Sequence, residues 1–364
     1  MLFRSIVLGN TTQAIQMGAG NDTVTLQAAA LGAGGSVNGG AGTDTLRLSA
    51  THAATAAANP AFAASIDGFE RLSLLGPAGS AAIALNQIDG INFVALDGVS
   101  AGQTLTLNGA TTGVTVAAHS GAAGTIAVAL ATPSAADVLN VHVSAAGAQT
   151  IHALNASSFE TINFVLHDTD AAPNGDQHRI SNLAAPDATT LTVTGNAGLS
   201  LNFAGTQLRH FDASGVSTGA VIVNTGALVG AATLTGGAGA DTLAAASAAV
   251  GVVLNGGAGN DLLIGSAAAD LIRGGDGDDQ LVAGAGADTL VGGAGHDTFV
   301  LTTNATPVFA TLADATAGDM LRFADQGTEV FDATRMVLGG TTGFTDYLNA
   351  AADHPGTNVE IGRA

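Results

Sequence analysis

Apolar positions along this chain fall into short alternating runs, and two regimes of alternation can be separated. In the stretch from about Thr51 to Thr235 the runs LTLNG (from Leu105), VTVAA (Val114), IAVAL (Ile126), LNVHV (Leu139), LTVTG (Leu191), LSLNF (Leu199) and VIVNT (Val221) stand out. Each has the two-residue period of a half-buried strand and closes on Gly, Asn or Ala-rich turns. Many short strands at near-regular intervals predict an all-β architecture, either a solenoid or a sandwich. Toward the C-terminal side the pattern tightens. Between Gly256 and Val300 a nine-residue unit occurs five times, as GGAGNDLLI, GSAAADLIR, GGDGDDQLV, AGAGADTLV and GGAGHDTFV. An earlier unit, GGAGADTLA, begins at Gly236 after an irregular spacer. Every unit has Asp at its sixth place and an apolar residue at its eighth. The last three residues of a unit predict a short strand whose central side chain (Leu263, Ile272, Leu281, Leu290 or Phe299) points inward.

The polar half of the unit carries chemistry. Glycine at places one, two and four opens backbone conformations closed to residues with a Cβ, so that carbonyl oxygens can turn toward a common point, and the sixth-place carboxylate supplies charge. Calcium takes about six to eight hard oxygen ligands in flexible geometry, more than a single turn offers, so sites must be shared between stacked turns. If two units make one coil, turns eighteen residues apart stack on the same side, which places Asp261, Asp279 and Asp297 on one ladder and Asp270 and Asp288 on the opposite one. Asp241 joins the first ladder if the spacer Ala245 to Asn255 is expanded by two residues. The candidate carbonyl donors are Gly237, Gly239, Gly257, Gly259, Gly275, Gly277, Gly284, Gly286, Gly293 and Gly295. The unit at Gly265 lacks the second and fourth glycines, and its site near Asp270 is expected to be weak or empty.

These units resemble the glycine-rich nonapeptide G-G-x-G-x-D-x-U-x of the RTX family. The resemblance implies a parallel β-roll that folds once calcium is available outside the cell, and export through a type I secretion channel. Two more copies, MGAGNDTVT at Met17 and GGAGTDTLR at Gly39, carry Asp22 and Asp44; the segment LQAAALGAGGSVN between them breaks the phase, so any calcium there is expected in a short, imperfect stack. A looser echo runs through IDGFERLSL (Ile66), IDGINFVAL (Ile88), SSFETINFV (Ser157) and LRHFDASGV (Leu208). It is similar to the strand repeats of bacterial surface-layer proteins that couple such a region to RTX nonads. After the nonads, Asp314, Gly318, Asp319, Leu321 and Phe323 resemble the strand pair that caps an RTX roll, and GFTDYLNAAA from Gly343 reads as a short amphipathic helix. An uncapped solenoid end would expose core and strand edge. The expected organisation is isolated RTX-like turns over 1–50, a strand-repeat solenoid over 51–235, an RTX β-roll over 236–300 and a capping region over 301–364.

Composition narrows the partners. The 364 residues include 51 glycines, no cysteine and no tryptophan, and 29 acids against 9 arginines leave a formal charge of −20. Such a surface repels phosphate and anionic lipid, so nucleic acid is not an expected partner. No disulfide framework is possible, and stability outside the cell would have to come from metal and a continuous stacked core. No apolar run is long enough to span a membrane. Leu2 to Ser5 and Ile361 to Ala364 match what a sequencing adapter encodes in its two orientations; the chain is therefore expected to be an internal piece of a longer protein, cut before its true C-terminus.

No catalytic residue is expected. None of the nine histidines sits in H-E-x-x-H. G-x-S-x-G occurs around Ser100 and Ser217, but both are followed by strand-type alternation where a nucleophile elbow needs a helix. His119, His142, His152 and His167 read as surface or strand residues, and His296 holds the fifth place of a nonad, facing solvent. The sequence thus reads as an all-β, calcium-binding, non-enzymatic structural protein of the cell surface, able to self-assemble into a lattice. An RTX adhesin or biofilm-matrix protein with a glycan partner, and the C-terminal part of a secreted hydrolase, remain as alternatives.

Overall fold

The computed structural model describes residues 5–89, 91–110, 113–119, 121–170, 176–302, 310–316, 318–324 and 336–337. The chain divides into two compact units, Met1–Ala172 with His178–Ala188, and Pro173–Gln177 with Thr189–Ala364. Each is a parallel β-solenoid. Consecutive strands alternate between one long sheet and the sheets opposite it, and within a sheet nearly every strand hydrogen-bonds to the strand two further along, which decides for the solenoid over the sandwich.

In the first unit one sheet runs in the order Ser5–Leu8, Thr23–Leu26, Thr45–Leu48, Arg71–Leu74, Phe93–Leu96, Val114–Ala118, Val138–Ala145, Thr161–Asp168. The facing sheet runs Ala81–Ala84, Thr104–Ala110, Ala122–Leu130, Thr150–Ala156, Gln177–Ala184. A small third sheet joins Ala14–Gln16, Ser36–Asn38 and Ile66–Asp67. The loosely echoed segments place Phe69, Ile91 and Phe159 in the core, each just before a strand of the first sheet.

One stretch of this unit is helical where strand repeats were expected. Ala50–Ala57 forms an α-helix whose N-cap Ser49 side chain accepts the His52 N–H at 3.1 Å, and Pro60–Ala63 follows with Asn59 Oδ1 accepting from Ala61 at 3.1 Å. Ala50, Ala53 and Ala56 recur at helical spacing on the buried face. The capping residues and the proline in the first turn were the available signals.

In the second unit the nonad strands stack in strict register. Leu243, Leu263, Leu281, Phe299 and Leu321 form one column, and Leu254, Ile272 and Leu290 form the facing one. The eighth-place side chains of the five contiguous nonads are all fully buried, each contributing about 2 kcal/mol on burial. Met320–Ala324 continues the parallel ladder beyond the nonads, and Met336–Val337 then pairs antiparallel with it. The helix expected from Gly343, and the terminal segments Leu2–Arg4 and Ile361–Ala364, lie outside the described residues.

Candidate metal centre

The sixth-place aspartates are brought together as the nonad spacing requires. The backbone N–H of Asp241 donates to Asp261 Oδ1 at 2.7 Å, that of Asp261 to Asp279 Oδ1 at 2.8 Å, and that of Asp279 to Asp297 Oδ1 at 3.0 Å. The two-residue expansion before Asp261 is absorbed without loss of register. On the other side of the coil, Val252 donates to Asp270 Oδ1 at 2.8 Å and Asp270 to Asp288 Oδ1 at 2.9 Å. One rung was missed by the nonad pattern: Asp297 donates to Asp319 Oδ1 at 2.9 Å. The signal was Leu321, two residues on from Asp319, the same offset that joins places six and eight of a nonad.

The glycines act in three ways. Gly275 and Gly277 have φ of +124° and +126°, the left-handed region, and a Cβ on Gly275 would lie 2.0 Å from the Gly257 carbonyl oxygen of the preceding coil. Gly257, Gly259, Gly284, Gly286, Gly293 and Gly295 share that backbone. At place one the need is steric and not conformational, because a Cβ on Gly256 or Gly274 would meet the unit's own Asp Oδ2 at 2.2 or 2.1 Å. Gly237 and Gly239 depart from expectation. Neither has a left-handed φ, and a Cβ on Gly239 would meet the carbonyl of Gly219, which belongs to no nonad. The first turn thus stacks on a coil outside the nonads and lacks the left-handed backbone of the turns that follow it.

Electrostatics separate the rungs. The Oδ2 atoms of Asp261 and Asp279 are buried without a hydrogen-bond partner. Burial drives the Asp261 carboxyl up to about 7, against one hydrogen bond from Asp241, with the charges of Asp241 and Asp279 pushing the same way. Asp279 is pushed up to about 6, by burial first and then by Asp297, Asp278 and Asp276, and Asp288 also rises to about 6 through burial and Asp270. Asp241 and Asp297 are raised by burial as well. A buried carboxylate oxygen that meets no donor is costly and demands a cation or a proton. Hard carboxylate oxygen amid glycine-rich backbone suits calcium. Asp270 differs, since its Oδ2 accepts the Ser266 N–H at 2.6 Å and its Oδ1 the Ser266 hydroxyl at 2.9 Å. The serine that replaces the second glycine occupies the carboxylate from within the protein.

The two early turns, separated in sequence, stack in space. Asp22 donates its N–H to Asp44 Oδ1 at 2.7 Å, and Asp44 donates to Glu70 Oε2 at 2.8 Å. Gly18, Gly20, Gly40 and Gly42 all have positive φ, and Asp44 Oδ2 is buried without a hydrogen-bond partner. The phase-breaking segment leaves the stack through the third sheet, where Ser36–Asn38 pairs with Ala14–Gln16. A fifth-place contact also unites these turns with the nonads. Thr43 donates its N–H to Asn21 Oδ1 at 3.0 Å, Asp278 to Asn260 Oδ1 at 2.9 Å and His296 to Asp278 Oδ1 at 2.8 Å. The fifth-place side chain therefore ties coils together in these turns, although His296 itself is exposed as expected.

Both G-x-S-x-G serines lie in turns that lead into strands, Ser100 before Thr104–Ala110 and Ser217 before Val221–Thr225. No helix follows either. Among the described residues no helix is long and apolar enough to cross a membrane.

Comparison with known proteins agrees with the geometry. The family profile described as the RTX calcium-binding nonapeptide repeat matches in four copies, over residues 229–247, 253–281 and 264–299. No curated protein matches the chain.

Proposed function

Because this chain carries RTX calcium-binding repeats, we propose that it is a secreted structural protein of the cell surface whose folding is governed by calcium and which carries no catalytic site. Asp261, Asp279 and Asp297 would hold calcium along one side of the roll, with carbonyls of Gly257, Gly259, Gly275, Gly277, Gly293 and Gly295 as the remaining oxygen donors; Asp241, whose two oxygens already accept the Val221 and Gly237 N–H groups, would be a lesser ligand at the start of that ladder. Asp288, with Gly284 and Gly286, would form a lesser site opposite, and Asp22 and Asp44 a further one in the first unit. When bound, calcium supplies the positive charge that the buried carboxylates lack. Without it, ionised Asp261 and Asp279 oppose burial and their coils stay open, a state compatible with passage through a type I secretion channel. Outside the cell, ligand binding to the folded state alone draws the chain into the roll.

The observation that carries this reading is the partnerless, buried Oδ2 of Asp261 and Asp279. The lattice role rests on the resemblance of the strand repeats to those of surface-layer proteins and on a net charge that keeps copies apart until cations neutralise it. Electron microscopy of the purified chain tests it: ordered sheets that appear on adding calcium and dissolve in chelator are expected. A chain that binds calcium and stays monomeric refutes the lattice and leaves a calcium-folded adhesin.

A further inference from the structure

Outside the metal ladders, the first sheet of the first unit carries an outward patch unlike the rest of this acidic chain. Strand pairing sets Thr45 beside Arg71 and Arg71 beside Phe93, with Arg47 beside Ser73 in the next column. The Arg71 guanidinium carbon lies 3.6 Å from the centre of the Phe93 ring, and His142 packs edge-on with that ring at 6.4 Å between centroids. The guanidinium is thus held against the Phe93 ring. Above it opens a shallow cavity of about 390 Å³, lined by Asn21, Thr23, Thr45, Arg47, Arg71 and Phe93 and by no acidic side chain. Among the described residues neither Arg47 nor Arg71 has a hydrogen bond or ion pair to an acid. Two unneutralised arginines side by side are unexpected in a chain with a net charge of −20.

We infer that this patch is a binding site for an acidic saccharide, one carrying a carboxylate such as a uronic acid unit. A guanidinium plane offers paired N–H donors to a carboxylate, and Arg71, fixed by Phe93, does so with little conformational freedom left to lose. The Thr23, Thr45 and Ser73 hydroxyls and the Asn21 carboxamide match the ring hydroxyls of a sugar as both donors and acceptors. The cavity's volume and openness suit one or two sugar units of a longer glycan crossing the sheet. Net charge decides against a second copy of this chain, because two surfaces of charge −20 repel each other while the patch offers only two cations in return.

Isothermal titration calorimetry on the full, calcium-saturated chain tests the inference, with a hyaluronan tetrasaccharide as the acidic ligand and chitotetraose as its neutral counterpart. Saturable, salt-sensitive binding of the acidic sugar alone is expected, weakened at least tenfold by Arg71→Gln and severalfold by Arg47→Gln, with circular dichroism of both variants unchanged. If Arg71→Gln disturbs the fold, Arg47→Gln, whose guanidinium packs on no aromatic ring, carries the test. Absence of binding by the unmodified chain, or equal affinity in the variants, overturns the inference. So does a self-association in sedimentation that Arg71→Gln abolishes, since a second copy would then be the occupant.

Discussion

The corners at Asp279 and at Asp270 look alike in sequence and differ in what satisfies the carboxylate. Both aspartates are buried, both accept the N–H of the preceding coil through Oδ1, and both precede a fully buried apolar residue by two places. At Asp270 the remaining oxygen is occupied by Ser266, whereas at Asp279 it meets nothing. The same device recurs away from the nonads: Ser134 donates its N–H and its hydroxyl at 2.8 Å to Asp137, whose own N–H donates to Glu160, and Thr316 donates to Asp319 in the same manner. An Asp rung is therefore a general way of closing a coil in this solenoid. What marks an open corner is the left-handed glycine at place two, as at Gly257 and Gly275; where that backbone is lacking, at Ser266 and Gly237, the place-two N–H closes Oδ2 of Asp270 and Asp241.

The largest effect is expected from Gly275→Ala. A methyl group there meets the Gly257 carbonyl and forces a φ of +124° on alanine, a loss on the order of 3 kcal/mol. The comparable change at the serine corner, Ser266→Ala, removes one hydroxyl and should cost about 1 kcal/mol. Urea unfolding in saturating calcium measures both, and equal losses would contradict the distinction between the corners. Next, Asp279→Ala should raise the calcium midpoint for folding by about tenfold, or ~1.4 kcal/mol, while Asp270→Ala shifts it far less; coincident midpoints would remove the ladder assignment.

A pH series sharpens the same contrast. The carboxyls of Asp261, Asp279 and Asp288 titrate near 3.8 when unfolded and at about 7, 6 and 6 when folded. A raised carboxyl pKa contributes stability that is complete below the unfolded value and lost as pH climbs through the folded one. In chelator, stability should therefore fall between pH about 4 and 7. Saturating calcium replaces the lost protons and should flatten that decline, and a decline of the same depth with calcium would speak against metal at these carboxylates. The smallest effect is structural conversion of one corner into the other. Ser266→Gly removes the hydroxyl from Asp270 Oδ1 and opens to place two the left-handed backbone that would turn its N–H away from Oδ2; it should add one weak calcium site by calorimetry, at about 1 kcal/mol of calcium-free stability, and unchanged stoichiometry would show that Ser266 is not what closes that corner.

Much of this was legible because periodicity states register directly. Aspartates eighteen residues apart, and apolar residues at every eighth place, leave one way to stack, and the rungs Asp261, Asp279 and Asp297 follow. That the corner at Asp270 departs from the others could be read from its missing glycines, but its serine contacts needed coordinates. Three features were hidden for physical reasons. The stacking of Asp22 on Asp44 was masked by an insertion that leaves the coil on the far side, where length is unconstrained. The fifth-place ladder was invisible because Asn21, Asn260 and Asp278 share an oxygen acceptor and not a residue type. The helix Ala50–Ala57 was lost in alanine, which supplies neither strong alternation nor bulk, so that Ser49 was its main local mark, as Asn59 was for the short helix that follows.

The most direct test of calcium-governed folding is a far-UV circular dichroism titration of the purified chain with calcium, with magnesium as the control ion. A cooperative rise in β signal with calcium alone is expected. A chain fully folded in chelator and indifferent to calcium would contradict the account and reduce the glycine turns to solenoid corners.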